Sequence, residues 1–309
     1  MITDAAPFPL DRPTTFTGIG LSITGDNEIA VSQPVGPRYL DHRGQTTIGS
    51  VGVLTDVSVG AAVAVARLHA TGERPQSVMS QITASTAHPF PVTGAVSGRG
   101  RSVYFDDTTG LAEATLFDDD GNPVMHLTGR SIVVGRAPSD ALRAPDVTHA
   151  AATGTEPGPC ADPGVLAELG GLEIVAGIAA ETLPRGPLAE LLGLTLTAVE
   201  HGTVQGEIVP LAWMANPIAS VHGGVLMSMA EIVSGLAAQT LTGVGGRYRL
   251  LQISADYLRS PAAPGPAVQI KSEVTRAGRR LASIETVICG ADGTVYVRAR
   301  ANAQLFPGV

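Results

Sequence analysis

The chain has 309 residues, of which 44% are apolar and 4% aromatic, and it carries a formal charge of −8. Its length suits two compact domains of roughly 150 residues each, while an acidic balance with few rings argues against a nucleic-acid binder, which needs a basic face and stacking side chains. Residues 1–16 hold no basic start followed by an apolar core, and Asp56 and Glu231 interrupt the longest apolar stretches, so the expectation is a cytoplasmic protein with a small-molecule partner and neither a membrane nor a nucleic-acid partner.

In chain order, residues 18–35 alternate in polarity and turn near Gly25, as two antiparallel strands would. Residues 48–68 are rich in Ala, Val and Leu with little charge on any face, which predicts one long, buried helix. Four strands are expected at 77–87, 93–105, 111–118 and 124–134, separated by segments rich in Pro, Asp and Gly. Residues 138–163 are Pro-rich and poor in bulky apolar side chains, and read as a linker. Cys160 lies there and Cys289 in a later strand, without metal-type spacing; both are expected to be reduced thiols, and neither a metal nor a cofactor is implied. Short helices are expected over 162–192, broken at Pro184-Arg185-Gly186-Pro187. The first pattern then recurs: a strand pair at 194–209, an apolar helix at 223–241, and strands at 249–258, 267–276, 281–289 and 295–305.

The recurrence extends to individual residues. A shift of 175 positions places Asp41 on Asn216, Gly49 on Gly224, Asp56 on Glu231 and Gly60 on Gly235, and a shift of 171 places residues 81–84 on 252–255. One module is written twice, the first over 1–137 and the second over 164–309. Two strands, a buried helix and a run of strands describe an α+β fold in which an antiparallel sheet wraps a helix.

Candidate chemistry gathers where each helix begins. In the second module His222-Gly223-Gly224 open the helix; the glycines let a ligand approach the backbone, and the unpaired amides of a helix start can polarise a carbonyl oxygen. Asp56 and Glu231 are single carboxylates in apolar helices, a costly placement. Each could instead cap a helix or accept hydrogen bonds from a neighbour, but their recurrence at matched positions favours function. His222 has no nucleophilic Ser or Cys in its sequence context, and reads as a positioning residue or as one that packs at a helix start.

Asn216, His222-Gly223-Gly224 and Glu231, followed by Ala255-Asp-Tyr-Leu-Arg-Ser-Pro261, resemble the PaaI-like branch of hotdog-fold acyl-CoA thioesterases, over residues 188–306. The resemblance implies a tandem hotdog that hydrolyses acyl-CoA, with Asn216, His222, Gly223 and Gly224 on the oxyanion side and an acidic residue as nucleophile or general base. It further implies sites shared between two hotdogs, so that Asp56 serves the second module's turn and Glu231 the first's. Further assembly into a homo-oligomer is also expected. The first module departs from the pattern, with Asp41 for Asn216 and Thr47-Ile48-Gly49 for His-Gly-Gly. Ile48 still offers an amide, but an aspartate near a developing oxyanion would repel it unless protonated, so this second site is expected to be inactive.

A basic rim for the phosphates of coenzyme A is expected at Arg259, Arg276, Arg279 and Arg280, and at Arg99 and Arg101 on what is read as the equivalent hairpin of the first copy. Ordinary solvated turn charges are the alternative. Two other functions stay open: a non-catalytic acyl-CoA-binding or scaffold protein, and a hydratase on the same fold, faintly suggested by Thr24-Gly25-Asp26-Asn27, which also reads as a plain hairpin turn.

Overall fold

A computed structural model describes residues 10–73, 75–135, 156–306 and 308. The first module runs through helix α1 (Arg12–Phe16), strands β1 (Gly20–Ile23) and β2 (Glu28–Val35), helix α2 (Gly52–Thr71) and strands β3 (Ser77–Thr86), β4 (Gly94–Phe105), β5 (Thr109–Phe117) and β6 (Pro123–Val133). After three short helices, α3 (Pro163–Glu168), α4 (Gly171–Ala179) and α5 (Pro187–Leu192), the second adds β7 (Thr195–Glu200), β8 (Thr203–Ile208), helix α6 (Gly223–Gln239), β9 (Arg247–Tyr257), β10 (Val268–Ala277), β11 (Leu281–Gly290) and β12 (Val295–Phe306). The predicted strands are found to within about two residues. Most of the expected linker, 138–155, lies outside the described residues.

All twelve strands form one antiparallel sheet in the order β1-β2-β4-β5-β6-β3-β9-β12-β11-β10-β8-β7. The second half repeats the first in reverse, which is the signature of a two-fold axis between β3 and β9. Thr83 pairs with Ser254, its own counterpart under the 171-residue shift, and their hydroxyls lie 2.9 Å apart. Side chains alternate in burial along β2, β5 and β12, so one face of the sheet closes on the helices and the other meets solvent.

Enclosure explains why α2 and α6 are apolar on nearly every side. The 49–71 stretch is long and apolar enough to cross a bilayer, but most of it is buried within the protein, as a core helix would be. At Gly100 on β4 a Cβ would collide with the Ser58 carbonyl of α2, so the sheet closes on the helix only where a side chain is missing.

Each module also lends its leading helix to the other. Phe16 of α1 stacks on Trp213 with ring centroids 4.2 Å apart, and Arg12 donates to the Ala212 carbonyl at 3.3 Å. In the mirrored contact, the Leu188 amide of α5 donates to the Leu40 carbonyl at 3.0 Å. The start of each central helix is therefore covered by a segment that precedes the other module's strands.

Candidate active site

The N-terminal turns of α2 and α6 cross at close range. Ser228 donates to the Gly49 carbonyl at 2.6 Å, and a Cβ on Gly224 would stand 2.6 Å from the Val53 Cα. Such contact is possible only because both turns are built from small residues. It brings each helix's carboxylate to the opening of the other helix.

At the first site His222 caps α6. Its Nδ1 accepts the Gly224 amide at 3.1 Å, and its carbonyl accepts the amides of Val225 and Leu226 at 3.0 and 3.1 Å. Among the described residues, the Gly223 amide has no acceptor, which leaves one orphan donor of the helix start facing a cavity. Asp56 Oδ2 accepts the Gly224 amide at 2.9 Å and lies 3.5 Å from His222 Nδ1. Because Nδ1 accepts a hydrogen bond, the ring proton belongs on Nε2, where Asp11 Oδ2 stands 3.5 Å away. Burial pushes the Asp56 carboxyl upward and the Asp11 charge adds to it, while His222 and the Gly224 amide offset only part of the rise.

Asn216 sits at the same opening. Its Oδ1 accepts the amides of Ile218 and Ser220, each at 3.1 Å, so its NH2 is the end that can serve a ligand. These groups and Tyr257 line a cavity of about 200 Å³. Among the described residues no group of His, Cys, Asp and Glu is arranged to hold a metal ion.

The second site is built from the related parts. Glu231 accepts the Thr47 hydroxyl at 2.9 Å. Burial, offset in part by Thr47, raises its pKa to about 7; Asp41 adds to the rise, and Arg43 and the Gly49 amide oppose it. Ile48, at the position of Gly223, lines a cavity of about 440 Å³ with Phe90, Tyr248, Leu250 and Phe306.

One expectation about this second site is corrected. Asp41 does not present its carboxylate to an oxyanion. Its Oδ1 accepts the amides of Arg43 and Gln45 at 2.8 and 2.9 Å, the same turn bonds that Asn216 makes two and four residues ahead. Its Oδ2 accepts Arg43 Nε and Nη2 at 2.8 and 2.6 Å. Burial alone would raise its pKa, but Arg43, His42 and the Gln45 amide outweigh that and hold it low. The negative charge is spent on Arg43, which itself stacks 3.9 Å from the Tyr248 ring centre.

The placement of two arginines is also corrected. Arg99 and Arg101 lie mid-strand in β4, opposite Ala30 and Glu28, because β4 continues through a bulge at 102–104 and turns only after Phe105. Arg101 pairs with Glu113. Arg276, Arg279 and Arg280 do occupy the β10–β11 hairpin, and Arg259 follows β9. None of the six lines either cavity, whereas Arg43, Arg247 and Arg249 border the second. The Thr24 to Asn27 segment turns between β1 and β2 with the Asp26 side chain 94% exposed, and lines neither cavity.

Sequence reasoning passed over Asp11 and Arg43, and quoted Thr47 and Tyr257 within motifs without giving either a role. Asp11 did carry a signal: an aspartate two residues before Pro13 is a helix-start pattern, and it caps α1 through the Thr14 amide at 3.0 Å. The stacking of Arg43 on Tyr248, 205 residues away, had none.

One sheet closed on two helices, with each cavity shared between two copies of a module, defines a tandem hotdog fold. Residues 219–297 match the thioesterase superfamily. Solved structures of similar fold span almost the whole chain. The tesB protein of Mycobacterium avium subsp. paratuberculosis is 12% identical with a TM-score of 0.60, covering 96% of this chain and 98% of its own. A hotdog-fold protein of unknown function from Alicyclobacillus acidocaldarius is 13% identical with a TM-score of 0.60, covering 97% and 100%. The acyl-CoA thioesterase II TesB2 of Mycobacterium marinum is 11% identical with a TM-score of 0.56, covering 96% and 99%. No curated protein matches the sequence.

Proposed function

We propose that the chain is a thioester hydrolase that cleaves acyl-CoA to the free acid and coenzyme A, at the composite site of Asp56 with the Asn216 to Gly224 turn. The observation that carries this reading is that a buried carboxylate of one module and an unpartnered amide, that of Gly223, from the other open onto one cavity. The thioesterase-superfamily match over 219–297 and the names of the whole-length structural neighbours support the reaction class.

In this reading the thioester oxygen takes hydrogen bonds from the Gly223 amide and the Asn216 NH2, which hold the charge that develops there. Asp56 accepts a proton from water as its oxygen adds to the carbonyl carbon. The C–S bond then breaks, and the proton passes from Asp56 to the departing thiolate. An elevated proton affinity suits Asp56 to that exchange near neutral pH. The second cavity holds a carboxylate, a hydroxyl and a backbone amide, in Glu231, Thr47 and Ile48, with Asp41 neutralised.

Thiol release from short, medium, branched and aromatic acyl-CoAs, followed for wild type, Asp56→Asn and Glu231→Gln, tests the reading. Loss in Asp56→Asn supports it. Loss confined to Glu231→Gln would reverse the two sites, and tight acyl-CoA binding without thiol release would make the chain a binding protein.

A further inference from the structure

Tyr257 is the last residue of β9, with its ring on the wall of the first cavity. The ring carbon that bears the hydroxyl lies 3.6 Å from where a Cβ on Gly223 would stand, on the side of the turn that also faces Asp56 Oδ2. That hydroxyl is buried and has no hydrogen-bond partner among the described residues. Leaving such a group unmatched costs about 1–3 kcal/mol, and folded proteins seldom tolerate it without a reason.

The counterpart position in the first module argues that the vacancy belongs to this site and not to the fold. Under the 171-residue shift Tyr257 corresponds to Thr86, which lines the second cavity. The Thr86 hydroxyl is satisfied by the Leu250 and Leu251 carbonyls, each at 3.2 Å. A strand end that in the first module takes a short side chain bonded to backbone carbonyls here carries a long one whose hydroxyl-bearing ring carbon packs against the Gly223 position.

We propose that the Tyr257 hydroxyl is a further donor to the reacting carbonyl, acting with the Gly223 amide and the Asn216 NH2 to hold the thioester oxygen. Two observations meet in this assignment: the Gly223 amide without an acceptor, and a buried phenol without a partner, both on one cavity wall. The groups facing the phenol fit a donor role. Burial, with the Asp56 charge adding to it, drives the Tyr257 pKa well above the ordinary tyrosine value, so the phenol keeps its proton. A neutral phenol donates one hydrogen bond, and an oxygen that gains charge in the transition state rewards it more than the ground-state carbonyl does. No proton is transferred, and the hydroxyl returns to its unpaired state when the acid leaves.

This assignment rests on the thioesterase reading, and its test separates the two. Tyr257→Phe removes only the hydroxyl. We expect kcat/KM on acyl-CoA to fall by roughly 100- to 1,000-fold, the range seen when one oxyanion donor is removed, with thermal stability unchanged or slightly raised because an unpaired buried group has gone. A ketone analogue of acyl-CoA, with CH2 in place of sulfur, should bind the variant about tenfold more weakly, whereas an S-alkyl-CoA thioether, which lacks the carbonyl, should bind both proteins alike. Wild-type kcat/KM in Tyr257→Phe, or equal weakening of both analogues, overturns the role. So does a marked loss of stability, which would mean that the hydroxyl serves the fold. If Asp56→Asn abolishes turnover while Tyr257→Phe leaves it intact, only the phenol's role fails. Unchanged turnover in both removes the site itself.

Discussion

The carboxylate of Asp56 and the amide of Gly224 meet at 2.9 Å although 168 positions separate them in the chain. This single bond ties the carboxylate of one module to the turn of the other that is proposed to hold the oxyanion. Asp56→Asn keeps the shape and can still accept the Gly224 hydrogen, but cannot take a proton from water. Turnover should fall by about 10²- to 10⁴-fold, the usual contribution of a general base, with the circular dichroism spectrum and melting temperature close to wild type. A variant with near-normal kcat would move the base elsewhere.

The adjoining glycines should respond in opposite ways. A Cβ on Gly224 meets backbone, at the Gly52 carbonyl and the Val53 Cα, so Gly224→Ala forces the two helices apart. We expect it to lose about 1–3 kcal/mol in chemical denaturation. A Cβ on Gly223 meets the end of a side chain, Asp56 Oδ2, at 2.5 Å. Gly223→Ala should therefore fold nearly as well as wild type and lose kcat, because the carboxylate is displaced. Similar stability losses in both variants would contradict this division.

Much of this was legible in the sequence, and the part that was not has a physical reason. The alternation of β2 and β5, the unbroken apolar helices and the 175-residue correspondence of Asp56 with Glu231 are local or periodic signals that the fold preserves. The structure pairs Thr83 with Ser254, two residues that the 171-residue shift aligns, at its two-fold axis. The fate of Asp41 was not legible. Substituting Asp for Asn suggested repulsion at an oxyanion, but the carboxylate retains the asparagine's turn bonds and gives its charge to Arg43, a pairing that depends on side-chain rotamers. The position of Arg99 and Arg101 failed for a different reason: they were matched to the arginines of the second module's hairpin, although the strand expected over 93–105 runs past both, as β4 does.

The Asp41–Arg43 pair is largely but not fully buried, and Arg43 also donates to the Tyr248 carbonyl at 2.8 Å. Arg43→Met preserves length and removes the charge, leaving Asp41 with only its turn amides. Breaking a buried pair from one side costs about 3–5 kcal/mol, and the loss here should lie toward the lower figure because those amides remain. Asp41→Asn keeps the turn, so it should cost less than Arg43→Met. Equilibrium unfolding of the two variants and the double variant measures the coupling, and additive losses would show that the pair contributes little.

Glu231 supplies a prediction whose sign is fixed by burial. Its pKa rises from 4.5 in the unfolded chain to about 7 in the fold, so the native state favours the neutral carboxyl. The resulting stabilisation is fully present below pH 4.5 and is lost as pH rises through about 7, an effect on the order of 3 kcal/mol at most. Glu231→Gln cannot ionise and should flatten the stability profile across that interval, becoming more stable relative to wild type as pH increases from 5 to 8. Any turnover that depends on Glu231 as a base must show the opposite trend, growing as pH climbs through about 7 while the protein loses this part of its stability. Urea denaturation and thiol release measured on the same samples at matched pH values give both curves. Parallel stability profiles for wild type and Glu231→Gln would mean that Glu231 is already ionised in the fold, held by Thr47 and the Gly49 amide more strongly than burial opposes it.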